Sequence, residues 1–332
     1  MRTLAIAGLT TLLLGLGSHA ALADPEKGEP AKDGPIARQL PTTFAAGDDY
    51  WTPERMRAAR PLAAPARPAK AATGEATPRA AGEEVEVAPA PTPKTMRWEK
   101  VVPYATTAAT QQTWKSGGLI AKTAGKVFGT GGNGNDFVAS GTVVNSTDGD
   151  VIVTVAHAMI DSEGRWSRNL IFVPAYKNGA APYGKFTART MFIWSGYYKD
   201  GVRKPPLDFG MLVVNKVKSK TPVQTVGGQG IRFNSTTAGK TNLLLGYPNN
   251  GNSGQTLQFC SGASVAPAYD MKYALLCDMG GGSSGGPWFQ DFNQAAGSGY
   301  VISTHALRNS TTSYGAYFGA EALATFRAAV AA

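Results

Sequence analysis

Short apolar segments dominate this chain from about residue 113 onward, and clusters of Gly, Pro, Asn and Asp separate them. Such segments between turn residues are typical of β-strands, and no alternation of strand and helix patterns is found. Only residues 320–330 predict a helix, because Leu323, Phe326 and Val330 share one face at helical spacing. The pattern therefore predicts an all-β protein, either barrels or a pair of packed sheets. The predicted strands are 137–145, 151–156, 170–174, 185–194, 209–215, 242–247, 257–260, 287–290 and 300–303.

The first 23 residues have the features of a secretory signal peptide. Arg2 gives a positive start, residues 4–17 form an apolar stretch, and Ala21-Leu22-Ala23 supplies a small-residue cleavage pattern. The stretch is too short for an anchor, and no later run approaches the roughly 20 apolar residues that span a bilayer. We therefore expect residues 1–23 to be a signal peptide, and the mature chain to be secreted, extracellular and without a membrane segment.

Residues 24–100 form a Pro- and Ala-rich segment ahead of the strand-rich part. Residues 24–95 hold 12 of the 21 prolines, with 10 basic and 11 acidic side chains. Large apolar residues are too few there to offset the entropy that ordering costs. We expect a disordered linker or a pro-segment that is later removed, which would make the full chain a zymogen.

The excess of positive charge lies in residues 96–332, which carry 21 basic and 12 acidic side chains. A positive surface could attract nucleic acid by long-range forces. However, the Lys and Arg residues are scattered and do not alternate with aromatic residues, so we expect no nucleic-acid partner. With 2 Cys and 3 His, the chain has too few ligands for a zinc site built from several of them, and we expect no cofactor.

Three short motifs supply the residues that nucleophilic catalysis needs. His157 follows an apolar strand, Asp208 precedes another, and Ser284 lies in a Gly-rich loop. A serine hydroxyl attacks only when an adjacent base takes its proton, and neutral imidazole is such a base. A buried carboxylate on the other ring nitrogen fixes the tautomer and stabilises the imidazolium. We therefore predict His157 as the general base, Asp208 as the orienting acid and Ser284 as the nucleophile.

The glycines beside Ser284 predict an oxyanion hole. They let backbone N–H groups approach the substrate carbonyl oxygen as it gains charge, and the predicted donors are the N–H groups of Gly282 and Ser284. A flexible Gly-rich linker is the alternative interpretation of this loop. The flanking Cys277 and the apolar Pro287-Trp288-Phe289 favour a loop that is held in place.

Each of these residues also has a purely structural interpretation. His157 could be a core histidine and Asp208 could cap a turn. However, His157 and His305 are the only histidines beyond the signal peptide, and only His157 has a catalytic-type context. The serine loop also matches the nucleophile elbow of α/β-hydrolases. That fold is excluded because Asp291 and His305 follow Ser284 within 21 residues, which leaves no room for the intervening strands and helices.

Residues from about 113 to 332 resemble the chymotrypsin-like serine proteases, particularly their secreted bacterial trypsin-like and glutamyl-endopeptidase-like branch. Ser140-Gly141-Thr142-Val143-Val144 and Val153-Thr154-Val155-Ala156-His157 resemble the first catalytic block of that family. Asp208-Phe209-Gly210 resembles the second block, and Gly282-Ser283-Ser284-Gly285-Gly286-Pro287 resembles the third. Leu245-Gly246-Tyr247-Pro248 also recurs in this branch.

The resemblance implies two packed antiparallel β-barrels with the triad in the cleft between them. The serine protease domain would cover residues 101–332, with the first barrel at about 113–205 and the second at about 206–319. A C-terminal helix would follow at 320–330.

Two departures from the family pattern concern disulfides and activation. Ala158 replaces the cysteine that follows the histidine in many animal members, so that disulfide is absent. Ser283 replaces the aspartate that, in trypsin-type zymogens, pairs with the freed N-terminus. If removal of residues 24–100 activates the protein, it would therefore have to do so without this pairing of an aspartate with the N-terminus. The two cysteines that the chain does have, Cys260 and Cys277, are expected to form a disulfide bracing the segment before the oxyanion loop.

The residues that bind the substrate side chain before the scissile bond (P1) leave three alternatives. Asp278 lies six residues before Ser284, the family offset for the base of the S1 pocket, where a carboxylate favours Arg or Lys. Val301-Ile302-Ser303-Thr304-His305 resembles the glutamyl-endopeptidase segment whose histidine binds an acidic side chain, although Met279 stands where those enzymes usually have threonine. Asp278 and His305 could also pair with each other as structure. We favour an acidic P1 residue.

The sequence thus predicts a secreted, monomeric serine endopeptidase that cleaves protein or peptide substrates through an acyl-enzyme. The alternative is a catalytically idle protease fold that serves as a binding module at the cell surface. The basic domain and the unusual specificity residues motivate that alternative, whereas the complete triad opposes it.

Overall fold

The computed structural model describes residues 33–41, 50–62, 82–91, 107–199, 201–235, 240–265 and 270–332, and the predicted signal peptide lies outside them. The strands are β1 (Pro35–Gln39), β2 (Arg60–Pro61), β3 (Val85–Val87), β4 (Ala108–Thr113), β5 (Ala124–Thr130), β6 (Asp136–Val143), β7 (Val151–Thr154), β8 (Arg168–Pro174), β9 (Phe186–Trp194), β10 (Tyr198–Lys199), β11 (Val202–Arg203), β12 (Gly210–Val214), β13 (Gly230–Phe233), β14 (Thr241–Gly246), β15 (Gln258–Ala263), β16 (Tyr273–Leu276), β17 (Pro287–Asn293), β18 (Ser298–Arg308) and β19 (Thr312–Tyr317). The helices are α1 (Pro53–Ala58), α2 (Ile120–Thr123), α3 (Pro222–Val226) and α4 (Ala320–Val330). Short 3-10 turns lie at Ala156–Ala158, Ser195–Tyr197, Pro205–Leu207 and Asn252–Gly254.

Six antiparallel strands close into the first barrel. Around the ring the order is β5, β6, β7, β12, β9 and β8, and β8 pairs again with β5. Closure leaves no unpaired strand edge in the ring. The strands β7 and β12 are buried along their whole length, which is why the sequence of each is almost entirely apolar.

The predicted barrel boundary at residues 205 and 206 lies one strand too early. The strand β12 follows that boundary but pairs with β7 and β9 of the first barrel. Without β12, both of those strands would present an open edge. The chain therefore completes the first barrel after Asp208, and this residue belongs to the segment that leads into the closing strand.

The second barrel is a curled sheet with the strand order β16, β19, β18, β17, β14, β15 and β4. Two links connect β15 back to β16. The Val265 N–H donates to the Ala274 carbonyl oxygen at 3.0 Å, and the predicted disulfide between Cys260 and Cys277 is present, with 5.8 Å between the Cα atoms. The predicted all-β class, its barrel architecture and its C-terminal helix are thus confirmed.

The C-terminal helix α4 packs against β9 and β12 of the first barrel. Phe326 is buried, and Leu323 and Val330 are partly buried against the same core, as the helical spacing predicts. This helix is only 11 residues long. Within the described ranges, none of the helices combines the length and the apolar character that crossing a lipid bilayer demands.

A series of aromatic rings connects α4 to the residue that follows Asp208. The ring of Phe326 lies 5.4 Å from that of Phe233, measured between centroids. Phe233 is 6.1 Å from Phe318, and Phe318 is 6.0 Å from Phe209. Ring contacts of this kind add to the free energy gained from burial. They connect the last helix to the segment that carries the predicted orienting acid.

Three pieces of the Pro- and Ala-rich segment are ordered against the barrels. The strand β1 extends the first barrel by antiparallel pairing with β9, and β2 runs parallel to β6. The strand β3 pairs antiparallel with β13. The expected disorder of residues 24–100 is therefore wrong for residues 33–41, 50–62 and 82–91; the remainder lies outside the described residues.

A few large side chains explain this order in a segment of unfavourable average composition. Trp51 is fully buried, and its ring N–H donates to the Asn169 carbonyl oxygen at 2.7 Å. Met56 of α1 is buried as well. The helix has favourable start signals, because the Thr52 hydroxyl caps it and Pro53 occupies its first turn. Burial of a few large side chains here stabilises a short stretch that the average composition does not predict.

Ion pairs hold two of these pieces in place. Arg55 of α1 pairs with Asp136 at 2.5 Å and lies over the ring of Tyr50. Arg232, whose side chain is largely buried, pairs with Glu86 of β3 at 3.2 Å. These contacts connect the N-terminal segment to both barrels.

Candidate active site

The predicted base and orienting acid are joined by two hydrogen bonds. The strand β7 ends at Thr154, and the following 3-10 turn carries His157. The Nδ1 atom of His157 lies 2.6 Å from Oδ2 of Asp208, and the His157 backbone N–H donates to Oδ1 at 2.9 Å. The two side chains are 1% and 0% exposed. A carboxylate in this position favours the proton on Nδ1, which leaves Nε2 as the basic atom.

Asp208 is fixed by its own backbone as well. Its N–H donates to the Pro205 carbonyl oxygen at 3.0 Å, at the end of the 3-10 turn. Its carbonyl oxygen accepts from the Thr304 hydroxyl at 3.3 Å, a contact with β18 of the second barrel. Burial, and then the charge of Asp208, raise the pKa of Tyr197 well above its ordinary value, so this neighbouring phenol stays neutral.

Ser284 lies in the loop between β16 and β17, and the backbone of the loop is bound to both barrels. Its carbonyl oxygen accepts from the Ser140 N–H at 2.7 Å. The Gly285 N–H donates to the His305 carbonyl oxygen at 2.9 Å. A Cβ atom on Gly285 would come within 2.3 Å of the Thr154 hydroxyl oxygen, so glycine is required for this close approach. The loop thus packs against the end of the strand that leads to His157.

The hydroxyl of Ser284 makes no hydrogen bond to His157. The Nε2 atom of His157 is buried and has no hydrogen-bond partner within the ranges that the structure describes. Ser284 is 3% exposed. The structure therefore joins two of the three predicted catalytic side chains directly, and it brings the backbone of the third to the same junction of the barrels.

The two predicted oxyanion donors have different environments. The Gly282 N–H donates to the Leu62 carbonyl oxygen at 3.2 Å, so the N-terminal segment holds this donor. The Gly282 carbonyl oxygen accepts from the Ser140 hydroxyl at 2.8 Å, which orients the peptide. Gly282 has a φ of +87°, a conformation that other residues rarely adopt. The Ser284 N–H makes no hydrogen bond to any described residue.

The two predicted specificity residues do not pair with each other. The Asp278 carboxylate accepts from the Gln111 N–H of β4 at 2.8 Å. His305 is buried, and its Nδ1 atom lies 2.9 Å from the Ser283 hydroxyl. Burial is the main cause that lowers the pKa of His305 to about 3, and the nearby positive charge of Arg308 lowers it further. His305 is therefore neutral at ordinary pH.

Among the described residues, one cluster has the residue types of a metal site. The ligand atoms of Cys260, Cys277 and Asp278 lie within 4.8 Å of one another. However, the two sulfur atoms are bonded to each other and cannot act as thiolate ligands. This cluster therefore offers one carboxylate and no complete set of ligands.

No protein-family model matches the chain, and no curated protein does either. Among solved structures, the protease Anisep from Arthrobacter nicotinovorans is similar at 32% identity and a TM-score of 0.60, over 67% of this chain and 100% of that one. This chain belongs to the chymotrypsin-like serine proteases.

Two further structures are similar to this chymotrypsin-like chain. The thermostable serine protease AL20 from an extremophilic microorganism is 27% identical, with a TM-score of 0.57, over 64% of this chain and 99% of that one. A Glu endopeptidase solved in complex with MPD shares the fold at 19% identity, with a TM-score of 0.52, over 68% of this chain and 98% of that one.

Supporting residues of this chymotrypsin-like site were missed at the sequence level. The Ser140 hydroxyl donates to Gly282 and accepts from the Tyr247 N–H at 2.9 Å, so it joins two segments of the second barrel. Thr154 and Thr304 contact the serine loop and Asp208 respectively. All three lie inside the motif blocks or directly beside His305, and a search for polar residues in apolar strands would have selected them. Leu62 offered no such signal, because its contact uses only backbone atoms.

Proposed function

We propose that this chymotrypsin-like chain is a secreted serine endopeptidase that acts through Ser284, His157 and Asp208. The main support is the pair of hydrogen bonds from His157 to Asp208, at 2.6 and 2.9 Å. A buried carboxylate that holds both the ring and the backbone of one histidine leaves Nε2 available as a base. Membership of the family supports a protease fold, and peptide hydrolysis by these three residues is what we propose.

In the proposed reaction, the Ser284 side chain turns toward Nε2 of His157 as substrate binds. The ring takes the hydroxyl proton while Oγ bonds to the carbonyl carbon of the substrate. The His157 imidazolium then donates that proton to the leaving amine, and the carbon–nitrogen bond breaks to give an ester on Ser284. A water molecule repeats the sequence, with His157 as base, and hydrolysis regenerates the serine.

The oxyanion formed in each attack would be held by the N–H groups of Gly282 and Ser284. Donors that are fixed before reaction stabilise this charge at little reorganisation cost. The Ser140 hydroxyl supports this role because it fixes the Gly282 peptide. The Cys260–Cys277 disulfide supports an oxidising, extracellular destination. We expect a monomer that acts on protein or peptide substrates.

We further propose that the enzyme prefers an acidic P1 residue and that His305 recognises it. Asp278 is the competing candidate, but one oxygen of its carboxylate already accepts from the Gln111 N–H. The Nε2 atom of His305 has no hydrogen-bond partner within the described ranges, and the charge of a bound carboxylate would favour protonation there. Digestion of a random peptide library reports this preference. Cleavage after Arg or Lys instead would assign recognition to Asp278.

Labelling with a fluorophosphonate tests the nucleophile. The Ser284→Ala variant is expected to lose all labelling and to lower kcat by roughly 10⁴–10⁶-fold while it keeps its fold. The matched control is Ser162→Ala, since Ser162 is exposed and lies outside the three motifs. Equal labelling of Ser284→Ala and the wild type would refute the assignment.

A catalytically idle binding module is the second candidate. The observation that favours it is the missing hydrogen bond between Ser284 and His157. The same labelling and library experiments separate the two candidates, because an idle module gives neither labelled serine nor cleaved peptide.

A further inference from the structure

Residues 60–62 of the N-terminal segment lie against the loop that carries the predicted oxyanion donors. The strand β2 pairs in parallel with β6, so that Arg60 is beside Phe137 and Pro61 is beside Val138. The Leu62 N–H then donates to the Val138 carbonyl oxygen at 2.8 Å. The next atoms of the chain reach the serine loop, where the Leu62 carbonyl oxygen accepts from the Gly282 N–H at 3.2 Å.

We infer that this backbone contact makes the N-terminal segment an internal inhibitor of the enzyme. The inference rests on the proposed function, in which the Gly282 N–H stabilises the oxyanion. A carbonyl oxygen that already accepts this N–H takes the place of the substrate oxygen. Loss of one such donor slows a serine protease of an unrelated fold by about 10²–10³-fold, so occupation of the donor is sufficient to suppress turnover.

Close packing at the loop supports the inference. A Cβ atom on Gly281 would lie 3.3 Å from the Leu62 carbonyl oxygen and 3.4 Å from a side-chain atom of Pro61. A Cβ atom on Gly282 would lie 3.7 Å from Pro61. The peptide therefore fills the space directly beside both glycines, and a substrate cannot enter that space while residues 60–62 remain.

The segment is held at this position by contacts on both sides of Leu62. Upstream, Trp51 is buried and Arg55 pairs with Asp136. Downstream, Glu86 pairs with Arg232. A tethered peptide with two such anchors has a high effective concentration at its site, so one modest backbone contact remains formed. Release of the segment from Gly282 then requires that its anchors be cut or loosened. Activation by this release does not need the aspartate of trypsin-type zymogens, which Ser283 replaces here.

The test compares Leu62→Pro with Leu62→Ala in the full chain. Proline removes the N–H that bonds to Val138, whereas alanine keeps both backbone groups and loses a similar part of the side chain. The rate of fluorophosphonate labelling is measured, and intact mass shows that the N-terminal segment is still attached. Circular dichroism and thermal unfolding show that both variants fold. We expect Leu62→Pro to label at least 10-fold faster than Leu62→Ala and the wild type.

Equal labelling of all three proteins would overturn the inhibition and leave the proposed function standing. No labelling in any protein would overturn both. A product that begins at Ala63 would show that this segment is a substrate, and would also overturn the inference.

Discussion

Asp208 bonds to two different atoms of His157, one in the ring and one in the backbone. The carboxylate therefore fixes both the orientation of the imidazole and the turn that carries it. Exchange of this carboxylate for an amide would keep the shape but change the preferred tautomer. We expect Asp208→Asn to lower kcat by about 10⁴-fold with little change in KM. Steady-state kinetics on a peptide ester measure this, with the exposed Asp148→Asn as the matched control. Retained activity in Asp208→Asn would remove Asp208 from the mechanism.

Ser140 holds the oxyanion loop through its hydroxyl. In Ser140→Ala, the Gly282 carbonyl and the Tyr247 N–H lose a buried partner. We expect the free energy of unfolding to fall by about 1–3 kcal/mol. We also expect kcat to fall by up to about 10²-fold, because the oxyanion donor is less well positioned. Urea denaturation and kinetics measure the two effects, with Ser162→Ala as control. A change in KM alone would contradict a role in positioning.

The buried His305 makes stability depend on pH. Its pKa is about 3 in the folded protein, below the ordinary value of 6.5. Between these values the unfolded chain binds the additional proton, so stability is complete above pH 6.5 and is lost as the pH falls toward 3. The loss from this residue is at most about 1.4 kcal/mol per pH unit. Urea denaturation from pH 7 to pH 4 is expected to show a flatter dependence in His305→Gln than in the wild type. The same slope in both proteins would exclude His305 as its source.

Trp51 anchors the helix α1 to the first barrel. Trp51→Ala removes a fully buried ring and its hydrogen bond to Asn169. We expect residues 50–62 to become accessible, so that trypsin cuts there at least 10-fold faster while the barrels stay intact. Limited proteolysis with mass spectrometry measures the sites and rates. The exposed Gln39→Ala, in another part of the N-terminal segment, serves as control. Protection of residues 50–62 in Trp51→Ala would show that other contacts suffice.

The disulfide closes the second barrel between β15 and β16. Replacement of both Cys260 and Cys277 by serine removes a cross-link of 17 residues in sequence. We expect a loss of about 3 kcal/mol in the free energy of unfolding. Chemical denaturation of the double variant and the oxidised wild type measures it. Reduction of the wild type should reproduce most of the loss, and unchanged stability after reduction would be the contrary outcome.

Apolar runs in the sequence located much of the fold correctly. The predicted segment 151–156 corresponds to β7, Val151–Thr154, and the predicted helix 320–330 matches α4, Ala320–Val330. Both elements consist largely of residues whose local pattern and burial agree. Two residues of the predicted triad, His157 and Asp208, were selected for a related reason, because each lies next to an apolar strand, whereas Ser284 was selected from its Gly-rich loop.

The strand β5, Ala124–Thr130, was missed because its residues do not form a typical strand pattern. Gly125 and Gly129 resemble turn residues, but each provides the space that a neighbouring Phe ring requires. Lys126 is buried, with its ammonium group 4.3 Å from the centre of the Tyr176 ring. The reasons for Gly125, Gly129 and Lys126 lie in side chains from other segments, and the local sequence pattern of β5 carries no information about them.

The N-terminal segment shows that average composition does not predict where individual residues are ordered. Its composition predicts disorder, and yet Trp51 and Met56 are buried. The contact between Leu62 and Gly282 could not be predicted from residue types at all, since it joins two backbone groups 220 positions apart. Such a long-range contact between backbone groups leaves no signal in the residue types, so only the three-dimensional structure reveals it.

The aromatic series from Phe326 through Phe233 and Phe318 to Phe209 connects the final helix α4 to the segment that carries Asp208. Phe209 is the immediate neighbour of Asp208, so packed rings connect Phe326 to the residue beside the carboxylate. Loss of α4 should therefore reduce turnover before it unfolds the protein, even though none of its residues approaches a substrate.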